Sequence, residues 1–228
     1  MSTGSSGGPA ALLPRGLFIT FEGIDGSGKS TQCRLLADSL RAAGREVVLT
    51  REPGGSPGAE EIRRLVLEGD PDRWSAETEL LLFTAARRDH LERTIEPALK
   101  AGKVVICDRF ADSTRMYQGL SRGNLRAAVD QLHALMIGRE PDLTILIDMD
   151  PAEGLARAKG RKGHEERFED FGVELQEKMR AGFLALAQEF PARFRTVNGA
   201  RPAEDVAADV RALADAAVKG AARKDSGG

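Results

Sequence analysis

Cysteine is scarce in this chain. Cys33 and Cys107 are too few for a disulfide framework. They fit a reducing cytosol, where each reads as a small buried apolar side chain. Three histidines, His90, His133 and His164, are scattered without metal-ligand spacing. There is no run of the roughly eighteen apolar residues that a membrane span needs. Ala10-Ala11-Leu12-Leu13 is too short for the apolar core of a secretion signal. Charge of one sign is also missing: 33 basic against 35 acidic side chains give a net charge of −2. That balance makes no global electrostatic case for nucleic acid or membrane partners. No internal repeat is present. These absences leave a soluble, cytoplasmic protein, and 228 residues suit one domain with a substantial core.

What is present is organised around one stretch. Phe18 to Phe21 is a short apolar, β-branched run that suits a buried strand. It leads into Gly23-Ile24-Asp25-Gly26-Ser27-Gly28-Lys29-Ser30-Thr31, which contains a complete P-loop, and then into a helical pattern at Leu35, Leu36 and Leu40. The glycines let backbone N–H groups curl around phosphate oxygens, and the following helix N-terminus adds its positive dipole. Lys29 reaches the β- and γ-phosphates, and the Ser30 hydroxyl ligates Mg²⁺. At average composition the four fixed positions arise by chance in roughly one chain in a hundred of this length. The chain therefore binds a nucleoside triphosphate.

The remaining pattern alternates strands and helices. Met1 to Pro14 is rich in Gly, Ser and Pro and reads as a flexible tail, as does Gly220 to Gly228, leaving one domain over 15–219. Strands are expected at 45–50, 104–108, 143–148 and 194–197. Helices are expected near Ile62–Val66, from about Ser75 to Leu99, around 113–118 and 125–137, from Asp150-Pro151, along the face Phe168, Phe171, Leu175 and Met179, and over 202–218. Most strands are apolar throughout. This argues for an α/β fold of the P-loop NTPase type: a three-layer sandwich with a five-stranded parallel sheet and helices on both faces.

Three further constellations carry chemistry. Asp108-Arg109 ends a strand next to the P-loop strand, where an acid can hold Mg²⁺ through water and an arginine can grip phosphate. An ordinary ion pair at a strand end has the same look. Phe83 and Arg87 share a helix face and could hold a flat base between ring and guanidinium, although such a Phe is usually core. Arg157 and Arg161 form a like-charged i, i+4 pair that becomes a clamp if an anion sits between them. A solvated charged face is the blander alternative.

The chain resembles the thymidylate kinase family. The resemblance spans about 16–218 and rests on Phe21–Thr31, Arg51-Glu52-Pro53-Gly54-Gly55, Leu82–Arg87, Asp108-Arg109-Phe110 with Ser113, Tyr117-Gln118-Gly119 and Pro141–Thr144. It implies a kinase that moves the γ-phosphate of MgATP onto dTMP. Phe83 would then stack on thymine, Arg87 would pair with its edge, and Gln118 would add a polar contact. Tyr117 would lie under the sugar, and Asp25 would contact the 3′-OH and the magnesium shell. Arg51 and Arg109 would hold the acceptor phosphate, with Pro53 and Ser113 lining that side. Arg157 and Arg161 fall in a lid at about 155–168, and Ala200-Arg201-Pro202 would pack on adenine. A homodimer is implied as well. Gly26 stands where many eukaryotic relatives have an arginine, so the lid arginines are expected to meet the transferring phosphoryl group. Asp25 replaces a Glu of some bacterial relatives, and Met116 a smaller residue.

Two other functions fit the residues read without the resemblance. One is a kinase for another monophosphate or a deoxynucleoside. The other is a nucleotide switch, in which ATP only biases a conformation. A switch has no use for a second nucleotide site.

Overall fold

The computed structural model describes residues 16–70, 72–121, 124–159 and 172–225. The expected tail at 1–14, Arg161, Phe168, Phe171 and the lid beyond residue 159 lie outside the described residues. Five strands form one parallel sheet: β1 Leu17–Glu22, β2 Val47–Arg51, β3 Val104–Asp108, β4 Leu143–Asp148 and β5 Phe194–Asn198, in the order β2-β3-β1-β4-β5. Phe21 pairs with Asp108 on one side and with Ile145 on the other.

Nine α-helices lie between and after the strands among the described residues: α1 Lys29–Ala42, α2 Pro57–Leu67, α3 Ala76–His90, α4 Glu96–Lys100, α5 Ala111–Met116, α6 Arg126–Leu132, α7 Pro151–Lys159, α8 Val173–Glu189 and α9 Ala203–Asp225, with π-type turns at Leu91–Ile95, Tyr117–Ser121 and His133–Ile137. Successive side chains of a strand point to opposite faces. Ile19 and Phe21 of β1 therefore join Leu36 and Leu40 of α1 and Val206 and Val210 of α9. Phe18 turns the other way, towards Leu91, Ile95, Leu99 and Phe110. Its ring meets that of Phe110 edge to face at 5.0 Å. Helices thus cover both faces, as the apolar strands require, and burying each such side chain contributes about 1.5–3 kcal/mol. Thr20 and Thr144, buried on adjacent strands, pair their hydroxyls at 3.0 Å.

Two sequence expectations change here. The single helix expected over 75–99 is divided by a π-type turn at Leu91–Ile95. Pro97 has no N–H to donate, and the ladder shifts so that Glu96 N–H reaches Leu91 O five residues back. The terminal helix does not stop at Val218 but runs to Asp225, through most of the segment expected to be a tail. The helix starts agree: Ser75 Oγ accepts from Thr78 N at 3.1 Å, and Asp150 Oδ1 from Ala152 N at 2.9 Å. No described helix is long and apolar enough to cross a membrane.

Candidate active site

The carboxyl ends of all five parallel strands face one rim, where open α/β sheets hold ligands. The loop after β1 is the P-loop. Helix α1 starts immediately after it with no side-chain cap and no acidic residue in its first turn. Its amides therefore remain at the mouth of the loop. Lys29, 6% exposed, donates from Nζ to Ile24 O at 2.7 Å. Burial and the neighbouring Arg109 charge lower its pKa to about 8, against the opposite pull of Asp25, Asp108 and Glu22. The Ser30 hydroxyl donates to the Asp108 carboxylate, bringing two hard oxygens together at the ends of α1 and β3.

Arg109 follows β3 with φ 68°, a left-handed conformation that costs a non-glycine residue roughly 1–2 kcal/mol. The turn sends its guanidinium back over the P-loop. Nη1 donates to Ser113 Oγ at 3.0 Å and Gly23 O at 3.3 Å, and Nη2 donates to Asp25. The guanidinium also lies 5.3 Å over the Tyr117 ring. Tyr117 OH donates to Asp25 Oδ2 at 3.1 Å. Burial would raise the Asp25 pKa, but Arg109 and Lys29 outweigh it and hold the carboxyl below its ordinary range. Behind this group sits Glu22, fully buried. It accepts from Phe110 N at 2.9 Å and from Ser113 Oγ at 2.6 Å. Burial and the Asp112 charge push its pKa up to about 7.

On the opposite wall, Phe83 and Arg87 of α3 face the same space, as their spacing predicts. Arg87 is 4% exposed and lies 5.2 Å over the Phe110 ring. Gln118 sits in a π-type turn at Tyr117–Ser121 and donates from Nε2 to the buried Glu79 at 2.7 Å. Arg51 pairs with Glu60 at 3.1 Å at the entrance. Between these walls lies a cleft of about 480 Å³, lined by Asp25, Gly26, Gly28, Lys29, Ser30, Arg51, Pro53, Phe83, Arg87, Asp108, Arg109, Ser113, Tyr117 and Gln118. Gly23, Ile24, Ser27 and Thr31 complete the loop behind it.

Arg157 is not brought to this cleft. Its Nη1 donates to Gly199 O at 3.3 Å, beyond β5. Arg201 is turned along the same loop, pairing with Asp209 and donating to Asn198 O at 3.4 Å.

A sequence model described as thymidylate kinase matches residues 21–210. The chain belongs to the thymidylate kinase family. It is 82% identical over 195 residues to thymidylate kinase of Ruegeria pomeroyi, covering 86% of this chain and 92% of that protein. The thymidylate kinase of Caulobacter vibrioides is 53% identical over 184 residues, covering 79% and 87%. The crystal structure of thymidylate kinase from Ehrlichia chaffeensis superposes with a TM-score of 0.72 at 37% identity, covering 89% of this chain and 99% of that one.

Within this thymidylate kinase fold, Glu22, Glu52, Glu79, His90 and Gln176 belong to the site's surroundings and were given no role by the sequence, although Glu22 and Glu52 lie inside its motifs. Gln176 of α8 donates to Asp25 at 3.5 Å. A buried acid or amide behind a functional residue has no sequence signature apart from its place at a strand end or on the same helix face.

Proposed function

We propose that the chain transfers the γ-phosphate of ATP to dTMP, giving dTDP and ADP. The observation that carries this reading is a single cleft with a triphosphate loop on one wall and, on the other, a ring and guanidinium suited to a base, with Arg51 and Arg109 between them. The family membership supports the same reaction.

In this reading the α1 amides and Lys29 hold the ATP phosphates, Lys29 exchanging Ile24 O for a phosphate oxygen. Ser30 and Asp108 suit Mg²⁺, which takes one or two protein oxygens together with phosphate and water, and when bound neutralises phosphate charge. Phe83 stacks on thymine, Arg87 and Gln118 meet its polar edge, and Tyr117 lies under the sugar, disfavouring a 2′-OH. Asp25 takes the 3′-OH. Arg51 and Arg109 fix the acceptor phosphate in line with the γ-phosphorus. That phosphate is largely ionised at neutral pH, since its second pKa is about 6, so it attacks without a protein base. The new P–O bond forms as the bond to the β-phosphate oxygen breaks. Arg157 and Arg161 belong to a lid whose closure brings Arg157 inward from Gly199 and excludes water. In the same reading Arg201 packs beside adenine, leaving its present partners Asp209 and Asn198 O.

The proposed assembly is a homodimer. Leu81 of α3 (57% exposed) and Leu135 and Met136 (76% and 46%) on the turn after α6 support it. Arg88 ties the two elements through a 2.7 Å bond to Met136 O. The cytoplasm is the proposed compartment, and the two buried free thiols are compatible with it. Resolving nucleotides after incubation with MgATP and dTMP tests the reaction. Equal amounts of ADP and dTDP are expected, and ADP without dTDP would overturn it.

A further inference from the structure

Arg87 is held by more than its place on α3. Its Nε donates to Glu52 Oε2 at 2.7 Å, and its Nη2 donates to Thr114 Oγ1 at 2.9 Å and Phe110 O at 3.2 Å. A guanidinium has five N–H donors. These contacts use Nε and both hydrogens of Nη2, and among the described residues Nη1 has no protein partner, although Arg87 lines the cleft. Glu52 could have taken the usual two-pronged grip on the fork. Its second oxygen is engaged elsewhere: Oε1 lies 3.1 Å from His90 Nδ1. His90 is fully buried, and its Nε2 lies 2.8 Å from Thr50 Oγ1. An ionised carboxylate only accepts, so Nδ1 carries a proton, and in the neutral ring Nε2 accepts from the Thr50 hydroxyl.

The loop after β2 is fitted over this chain of groups. A Cβ at Gly55, where φ is +86°, would lie 2.4 Å from His90 Nε2 and 2.3 Å from Thr50 Oγ1. Thr94 Oγ1 holds Gly55 O at 2.8 Å. A buried ion pair is weak support for stability, since well-packed apolar residues often do as well. A relay that fixes Glu52 under Nε, with Nη2 spent on Thr114 and Phe110, sets the direction of the remaining nitrogen, Nη1, and is better explained by what that nitrogen does.

We propose that Glu52 and His90 are positioning residues for the acceptor base. They lock the Arg87 guanidinium so that Nη1 presents N–H donors, and no acceptor, to the edge of the base. This rests on the reading that Arg87 meets that edge. A donor-only group suits a pyrimidine with a carbonyl at its edge and penalises one carrying an amino group, because both would then be left unpaired.

The test is steady-state kinetics of Glu52→Gln, His90→Gln and Arg87→Lys, with KM for dTMP, KM for ATP, kcat and the dTMP/dCMP ratio of kcat/KM, alongside thermal unfolding. For Glu52→Gln and His90→Gln we expect KM for dTMP to rise about tenfold or more. KM for ATP should be unchanged, kcat should change less than KM for dTMP, and the dTMP/dCMP ratio should fall. Should Glu52→Gln fail to fold, His90→Gln, which exchanges the rigid ring of the relay for a flexible amide, carries the test. If Arg87→Lys raises KM for dTMP while the other two leave it and the dTMP/dCMP ratio unchanged, the positioning role is overturned, whatever happens to thermal stability. If Arg87→Lys itself leaves KM for dTMP unchanged, the reading of Arg87 fails instead.

Discussion

Gly26 and Gly154 meet backbone against backbone: a Cβ at Gly26 would lie 1.9 Å from Gly154 O, and one at Gly154 would lie 2.7 Å from Asp25 O. The start of α7 therefore seats directly on the P-loop, and the loop has no room there for an arginine of its own. Because Gly26 also has φ +78°, Gly26→Ala should destabilise the fold by at least about 1 kcal/mol. It should also unseat α7, the described base of the proposed lid. Gly154→Ala, free of the φ penalty, should lower kcat/KM for ATP with a smaller change in Tm. Wild-type kinetics in both variants would show that this contact has no part in setting the lid.

In the proposed mechanism the lid arginines carry the charge that the loop cannot. Arg157→Ala and Arg161→Ala should each lower kcat by a factor on the order of a hundred, as loss of one transition-state donor does, with dTMP affinity nearly unchanged. Isothermal titration with dTMP, read beside kcat, separates the two. Unchanged turnover in both single variants and in the double variant would remove the lid from the mechanism.

Arg109 is expected to act on the acceptor phosphate. Arg109→Lys keeps the charge but loses the fork that now spans Gly23, Ser113 and Asp25. A loss in kcat/KM for dTMP of about a hundredfold is expected. A loss confined to KM for ATP would assign Arg109 to the other nucleotide.

Away from the cleft, Glu140 accepts from Arg115 Nη2 at 2.6 Å and lies 3.2 Å from Arg193. Burial raises its pKa, but contacts from His133 and Arg115 and the nearby Arg193 charge outweigh that and bring it to about 2, from an ordinary 4.5. The folded value is depressed, so ionised Glu140 stabilises above about pH 4.5 and that contribution is lost between 4.5 and 2. Glu140→Gln should therefore lower Tm at neutral pH, with the gap closing as pH falls through this window. A gap independent of pH would contradict the assignment.

The sheet was legible because buried parallel strands are apolar on both faces, and the P-loop because its chemistry fixes four positions. Helical spacing put Phe83 and Arg87 on one face, and the family resemblance gave them their expected roles. Glu52 and His90 were given no role, because an acid after a strand and a lone histidine on a helix look the same whether solvated or buried. Only the packing of the β2 loop on α3 distinguishes them. The side-chain direction of Arg157 is a rotamer choice and leaves no trace in sequence. Residues 220–225 looked like a tail because glycines bracket them, but Ala221-Ala222-Arg223-Lys224 are strong helix formers and prolong α9.

The proposed transfer to dTMP is tested most directly by ATP consumption measured across dTMP, dUMP, UMP, CMP, GMP and AMP. It requires the highest kcat/KM with dTMP and much lower values with the ribonucleotides. Preference for UMP or dUMP, or tight ATP binding without transfer to any acceptor, would contradict it.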